Sequence, residues 1–129
     1  MQKFQVDFFT EEDGTKPVAE FIKTLTVKLR AKVVSDLNIL EEFGNLAREP
    51  LSKHLEDGIF EIRSKVSTDI VRILYFFDKE RIIIATNGFI KKENKTPRAE
   101  IALAKDRRNA YYIRKEEGSD KDESDENNK

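Results

Sequence analysis

Three apolar segments separated by short polar breaks constrain the fold of this chain more than any other feature. The segments are 59–66, 70–77 and 81–90, and the breaks at 67–69 and 78–80 hold three residues each. Segments of this length, rich in β-branched and aromatic residues, are typical of strands. Because such short breaks permit only hairpin connections, we predict an antiparallel meander. Its last strand is apolar on both faces, which favours a central position.

The segments before the meander predict one more strand and two helices. Alternating apolar residues indicate a strand over 3–9. Apolar residues at spacings of three and four indicate helices over 17–24 and 26–43, and Gly44 is a typical helix stop. The segment 45–57 shows neither pattern, so we predict a connector there.

A final helix is predicted after the meander. Thr96 is suited to the N-cap and Pro97 to the first helical residue, and we expect the helix to end near Tyr112. The predicted order is therefore β-α-α-β-β-β-α. This order belongs to the α+β class, as an antiparallel meander sheet with the two N-terminal helices packed on one face.

Composition excludes several classes of site. The chain has 129 residues, which suits one domain, and it has no cysteine and a single histidine. Disulfides, thiolate zinc sites and cysteine nucleophiles are thereby excluded, and a histidine-based metal site is disfavoured. We expect metal-free chemistry and no cofactor. The N-terminal segment lacks the apolar stretch of a signal peptide, so we expect a soluble, cytoplasmic protein.

The net charge of −1 hides an uneven distribution of charges. Residues 116–129 carry seven acidic and two basic side chains, which leaves 22 basic against 18 acidic residues in the rest of the chain. We therefore expect a mildly basic domain over 1–115 and an acidic, disordered tail over 116–129.

Arg72 is the most informative single residue, because it interrupts an otherwise apolar strand. A charge within a buried strand is costly unless it is paired or lies in a cleft. Two interpretations stay open. Arg72 and Arg63 can face one groove and bind a phosphate bidentately, or Arg72 can pair with Glu61 or Glu80.

Other cations and two tyrosines can complete such a groove. Cations bind phosphates, and a tyrosine can stack on a base or donate a proton. The candidates for RNA contact are Arg63, Lys65, Lys95, Lys105, Arg107, Arg108 and His54, with Lys91, Lys92, Tyr111 and Tyr112 nearby. Structural roles stay open as well: a solvated loop for the lysines, packing against the sheet for the tyrosines and a surface loop for His54.

Short motifs in a fixed order add a family resemblance. Residues 51–63 resemble the pattern K-x-L-x-x-G-h-x-E-h-R, where h is hydrophobic, and 84–97 resemble h-G-F-x-K-K-x-x-K-T-P. Residues 98–108 resemble E-I-x-x-A-x-x-R. Together these blocks are similar to the HigB-like, phage-derived branch of the RelE/ParE toxin superfamily, over about residues 1–115.

The resemblance implies a RelE-like fold and a ribosome-dependent mRNA endonuclease of a type II toxin–antitoxin system. In such toxins the ribose 2′-OH attacks the adjacent phosphate without a metal. Arg72 matches the strand arginine that acts on the phosphate. Lys91 and Lys92 match a basic position at the end of a strand, and Tyr111 or Tyr112 an aromatic position near the C-terminus.

One residue departs from the pattern. Several RelE-type toxins carry a catalytic lysine where this chain has Glu61, which can be either a general base or a partner of Arg63 or Arg72. The resemblance also implies the ribosome and mRNA as partners, together with an antitoxin that is commonly a helix-turn-helix protein. Two other functions stay open: a ParE-like inhibitor of DNA gyrase, and a degenerate toxin that only binds its antitoxin.

Overall fold

The computed structural model describes residues 3–91 and 94–127, with side chains described as far as Gly118. The described residues form five strands, three α-helices and a short 3-10 turn at Gly44–Leu46. The elements are β1 (Gln5–Phe8), α1 (Pro17–Lys23), α2 (Val27–Phe43), β2 (Ser52–Glu56), β3 (Ile59–Val66), β4 (Asp69–Asp78), β5 (Ile82–Ile90) and α3 (Arg98–Asn127). The predicted α+β class is confirmed.

The strands form one mixed sheet in the order β1-β5-β4-β3-β2. The predicted meander is present, because β3, β4 and β5 pair antiparallel in succession. However, β1 pairs with β5 in parallel, so the prediction of a wholly antiparallel sheet is wrong. No hairpin joins β1 to β5, and hence no turn sets their relative direction. The middle strand is β4, and β5 lies beside it.

The predicted connector over 45–57 contains the edge strand β2. It pairs antiparallel with β3, with Ser52 opposite Ile62 and Lys53 opposite Glu61. The strand has one large apolar residue, Leu55, and both Lys53 and His54 are exposed. An exposed edge strand lacks the regular alternation that identifies strands in a sequence, so the predicted order lacked this element.

Apolar clusters cover both faces of the sheet. As predicted, α1 and α2 bury their apolar residues on one face, where Val18, Val33 and Leu40 pack with residues of β3, β4 and β5. A smaller cluster on the opposite face joins Leu74 and Phe76 of β4 to α3. The sheet is therefore a middle layer between two layers of helix, and side chains on its α3 face are covered.

The bounds of α3 differ from the prediction at both ends. The helix begins at Arg98 rather than Pro97, and it continues past Tyr112 to Asn127. Glutamate and lysine are good helix formers, so an acidic composition does not end a helix. The division into a domain and an acidic disordered tail stays a prediction. None of the helices in the described part of the chain is long and apolar enough to span a membrane.

The caps of α2 follow the sequence signals. The Thr26 hydroxyl accepts from the Leu29 N–H, and Gly44 ends the helix with its own N–H donated to the Leu40 carbonyl. Gly44 has a φ of +53°, in the left-handed region that favours glycine. A Cβ atom at this position would overlap the ring of Phe4. The glycine therefore provides both the turn and the space for the ring of Phe4, the residue just before β1.

We predict that Gly44→Ala lowers the free energy of unfolding by roughly 2–4 kcal/mol, from left-handed strain and overlap with Phe4. Gly14→Ala is the matched control, because Gly14 has a φ of +91° and no atom within 4 Å of a Cβ built there. Gly14→Ala should lower the free energy of unfolding by only about 1–2 kcal/mol. Urea denaturation measures the free energy of unfolding of both variants. Equal decreases in the two variants would contradict a contribution from the overlap with Phe4.

Candidate functional site

A buried carboxylate organises the α3 face of the sheet. Glu61 Oε1 accepts a hydrogen bond from Arg63 Nε at 2.7 Å and another from Arg72 Nη1 at 3.2 Å. The hydroxyl of Thr96 donates to Oε2 of the same carboxylate. The side chains of Glu61 and Arg72 are 0% and 1% exposed. Three donors from two strands and a loop therefore meet at one acid.

The strand register explains why these groups meet. Arg63 lies directly opposite Arg72 across the β3–β4 ladder, and Glu61 lies two residues from Arg63 on the same face. The two arginines therefore share one face of the sheet, which was the condition for a common groove. Of the interpretations left open for Arg72, the pairing with Glu61 is the one observed. Arg72 Nη1 also lies 3.2 Å from the Asn94 carbonyl and 3.3 Å from the Thr96 hydroxyl.

A basic cleft of about 220 Å³ lies beside this cluster. Its walls are β2, Arg63 of β3, the loop that precedes α3, and the first turn of that helix. Four cations line it, namely Lys53, Arg63, Lys95 and Arg98. Glu56 and His54 line it as well. Arg63, Lys95 and His54 were predicted from the sequence, and the structure brings them together.

Lys53 and Arg98 were missed. Lys53 belongs to the unpredicted strand β2, where it lies opposite Glu61. Arg98 is the first residue of α3, and it reaches the cleft because this end of the helix lies beside β2, where Arg98 contacts Glu56. Lys53 and Arg63 are ten residues apart in the sequence. This spacing indicates a shared cleft only when the two residues are known to lie on paired strands.

The imidazole of His54 is held by the turn between β2 and β3. Its Nε2 accepts from the Gly58 N–H at 3.2 Å, and its ring lies 4.9 Å from that of Phe60, edge to face. These contacts give His54 a structural role in the hairpin at the rim of the cleft.

The predicted RNA-binding cations of α3 are tied to carboxylates. Lys105 Nζ lies 2.6 Å from Glu56 Oε2, and Arg98 contacts the same carboxylate. Hydrogen bonds from Arg98 and then Lys105 hold the pKa of Glu56 at about 2, below its usual value of 4.5. The carboxylate therefore stays ionised and offsets part of the positive charge on this side of α3.

Two further arginines of α3 are paired in the same way. Arg108 Nη2 lies 2.9 Å from Asp57 Oδ2. Arg107 donates to the Thr86 carbonyl at 2.8 Å and lies 3.3 Å from Glu11 Oε1. Neither arginine lines the cleft. They attach α3 to the hairpin and to the loop after β1.

Two exposed lysines lie at the end of the strands. Lys65 is opposite Ile70 in the β3–β4 ladder, and the Lys91 N–H donates to the Ile70 carbonyl at 3.2 Å. The two lysines are therefore neighbours of one residue at the same end of the sheet as Arg72. Lys92, predicted as a catalytic residue, lies outside the described residues.

Tyr111 and Tyr112 form a separate cluster around Asp78. Their hydroxyls donate to Asp78 Oδ2 at 2.5 Å and to Asp78 Oδ1 at 3.3 Å, and Lys115 Nζ lies 2.7 Å from Oδ2. Asp78 is six residues from Arg72 along β4, a separation of roughly 20 Å. The structure therefore does not bring the two tyrosines together with Arg72 or with the cleft.

Ionisation in this cluster suits structural hydrogen bonds. Burial opposes the charge of Asp78, but the hydrogen bonds from Lys115 and Tyr111 outweigh it and hold the pKa of Asp78 at about 2. Burial, together with Asp78, raises the pKa of both tyrosines above 10. At neutral pH the tyrosines keep their protons and donate them to an ionised carboxylate.

The arrangement can bind a polyanion. Arg63 is 28% exposed and its Nε is held by Glu61, so the guanidinium is oriented at the wall of a cleft that also offers two lysines and Arg98. Such a set matches the phosphates of a nucleic acid backbone. Among side chains described in the structure, no group of three or more carboxylate and histidine residues is placed to hold a metal ion.

Comparison with known proteins finds one matching family. The family model described as “Phage derived protein Gp49-like (DUF891)” matches residues 20–109, well over half of the chain. The matched range includes α2, the strands β2 to β5, the Glu61–Arg72 pair and the lining of the cleft. A search of curated proteins gives no significant match.

We predict that Arg72→Ala lowers the free energy of unfolding by roughly 3–5 kcal/mol, because it removes a partner of a buried carboxylate. Arg63→Ala is the comparison, since it removes the more exposed partner of the same carboxylate and should cost about 1 kcal/mol. Urea denaturation of the two variants measures the difference. If Arg63→Ala were the more destabilising variant, the assignment of Arg72 as the main buried partner would be wrong.

Proposed function

The chain belongs to the Gp49-like family of phage-derived proteins, a toxin family of the RelE/HigB type, and from this we propose that it is a toxin that cleaves messenger RNA on the ribosome. Membership of a toxin family implies an antitoxin partner. The observation that carries the proposal is the basic cleft, with four cations and one carboxylate in its lining.

The proposed reaction needs no metal. A base takes the proton of the ribose 2′-OH, and the 2′-oxygen then forms a bond to the adjacent phosphorus. The bond from phosphorus to the 5′-oxygen breaks, and an acid protonates that oxygen. The products are a 2′,3′-cyclic phosphate and a 5′-OH end. Cations that contact the phosphate stabilise the charge that develops in the transition state.

We assign the contact with the phosphate to Arg63. Its Nε is held by Glu61, and a guanidinium held in this way keeps its terminal nitrogens for a second acceptor. Lys53 and Lys95 supply further positive charge from the opposite walls. Arg72 and Glu61 are buried, so in this proposal they orient Arg63 rather than exchange protons with RNA.

Two pairs of residues are candidates for the general acid and the general base of this reaction. Lys91 and Lys92 are the basic residues that follow β5, and Lys91 is exposed near the same end of the sheet as Arg63. Tyr111 and Tyr112 donate to Asp78 at the other end of β4. We therefore propose the lysines for proton transfer ahead of the tyrosines.

One observation favours a second function. The predicted catalytic residues do not form one constellation in the described part of the chain, since the tyrosines bind Asp78, which lies roughly 20 Å from Arg72 along β4. A protein that acts by binding alone, as in ParE-like inhibition of DNA gyrase, needs no such constellation. This alternative predicts DNA damage signalling without cleavage of messenger RNA.

Controlled expression in a bacterium, with mapping of 5′-OH ends on cellular messenger RNA, tests the proposal. We expect new ends within translated codons and arrested growth for the wild-type chain. The double variant Lys53→Glu/Lys95→Glu should lose most of the cuts, because it reverses two charges in the cleft. It should also lower the slope of RNA affinity against salt concentration by about 2.

The matched control is Lys28→Glu/Lys79→Glu, which makes the same charge change at two exposed lysines of α2 and of the β4–β5 turn. It should cleave as the wild type does. Equal loss in both double variants would mean that net charge, not the cleft, carries the activity. Growth arrest with DNA damage signalling and no new 5′-OH ends would favour the gyrase alternative.

A further inference from the structure

Thr96 makes contacts that an N-cap role does not explain. The residue is 5% exposed, and its hydroxyl donates to Glu61 Oε2. Arg72 Nη1 lies 3.3 Å from the same hydroxyl. The side chain predicted to cap α3 instead points to the buried ion pair of the sheet.

The neighbouring backbone is attached to the same pair. Arg72 Nη1 donates to the Asn94 carbonyl at 3.2 Å. Two residues of the loop, 94 and 96, are thus bound to the Glu61–Arg72 pair, and Lys95 lies between them with its side chain exposed. Fixing the backbone on both sides of a residue limits where its side chain can reach.

Glu61 also holds the other wall of the cleft. The carboxylate that accepts from Thr96 accepts from Arg63 Nε through its second oxygen. Thr96 and Arg63 therefore share one buried acceptor. A change in the hydroxyl on one side of Glu61 alters the position of the carboxylate that holds the guanidinium on the other.

We propose that Thr96 is a positioning residue of the RNA-binding cleft: its hydroxyl fixes the Lys95 loop and, through Glu61, the guanidinium of Arg63. This inference rests on the proposed function. It adds to that function the group that sets the spacing between the two cationic walls of the cleft. The substrate contacts remain those of Lys95 and Arg63, and Thr96 acts through both.

The test compares Thr96→Val, which keeps the shape and removes the hydroxyl, with Thr96→Ser, which keeps the hydroxyl. Thr86→Val is the control, because Thr86 is 0% exposed and its hydroxyl contacts the Leu74 carbonyl and Asn87 away from the cleft. Binding of the full-length chain to a labelled single-stranded RNA of about 12 nucleotides is measured at several salt concentrations.

We expect Thr96→Val to bind the RNA roughly fivefold more weakly, the effect of one buried hydrogen bond. The slope of affinity against salt concentration should also fall by about 1, since one lysine contact is lost. A role limited to stability would leave that slope unchanged. Thr96→Ser should keep the affinity and the salt slope of the wild type, and Thr86→Val should bind as the wild type does.

Three results would overturn the inference. If Thr96→Val bound RNA as the wild type does while Lys53→Glu/Lys95→Glu bound weakly, the cleft would stand and the positioning role would fall. If Thr96→Ser failed to restore binding, the hydroxyl would not be the group responsible. If the wild type and Lys53→Glu/Lys95→Glu bound RNA equally, the proposed function would fail, and the positioning role with it.

Discussion

A buried carboxylate must be surrounded by donors, and in this protein that requirement connects the sheet to its functional surface. Glu61 is fully buried and accepts from Arg72, Arg63 and Thr96. Each donor comes from a different element: β4, β3 and the loop before α3. An unpaired charge at this depth would cost several kcal/mol. The pairing therefore constrains the loop and both strands at the same time.

The same cluster explains how an interior interaction can shape an exposed cleft. Arg72 is 1% exposed and cannot reach an RNA molecule in the described conformation. Arg63 is 28% exposed and lines the cleft. The buried arginine satisfies the acid, and the acid orients the exposed arginine. Long cationic side chains lose entropy when they are held, so an oriented guanidinium binds a phosphate at a smaller entropic cost.

Charge pairing also decides which cations of α3 stay near the cleft. The helix packs on a small apolar cluster and is attached further by ion pairs to Glu11, Glu56, Asp57 and Asp78. These pairs occupy Arg98, Lys105, Arg107, Arg108 and Lys115. The mildly basic charge of 1–115 is therefore not spread evenly. The cations of α3 are largely offset, whereas the cleft keeps Lys53, Arg63 and Lys95 in addition to Arg98, which is paired with Glu56.

The meander and the common face of Arg63 and Arg72 were predictable, because a period of two and short turns determine both. The edge strand β2 was not, since its exposed residues show no apolar alternation. Lys53 was missed for that reason. The position of Tyr111 depends on how α3 packs on the sheet, a tertiary property that no local pattern records. The burial of Arg72 also depends on tertiary packing, because it is set by the elements that cover the α3 face of the sheet.

In the proposed mechanism, RNA lies in the cleft beside Arg63. Photocrosslinking on ribosomes programmed with messenger RNA that carries 4-thiouridine in the A-site codon, followed by mass spectrometry, tests it most directly. We expect crosslinked peptides from 53–63 and 94–98, the two walls of the cleft. Crosslinks confined to 111–115, or to the loop after β1, would contradict it, because Tyr111 binds Asp78 at the other end of β4 and the loop after β1 lies at the sheet edge opposite β2.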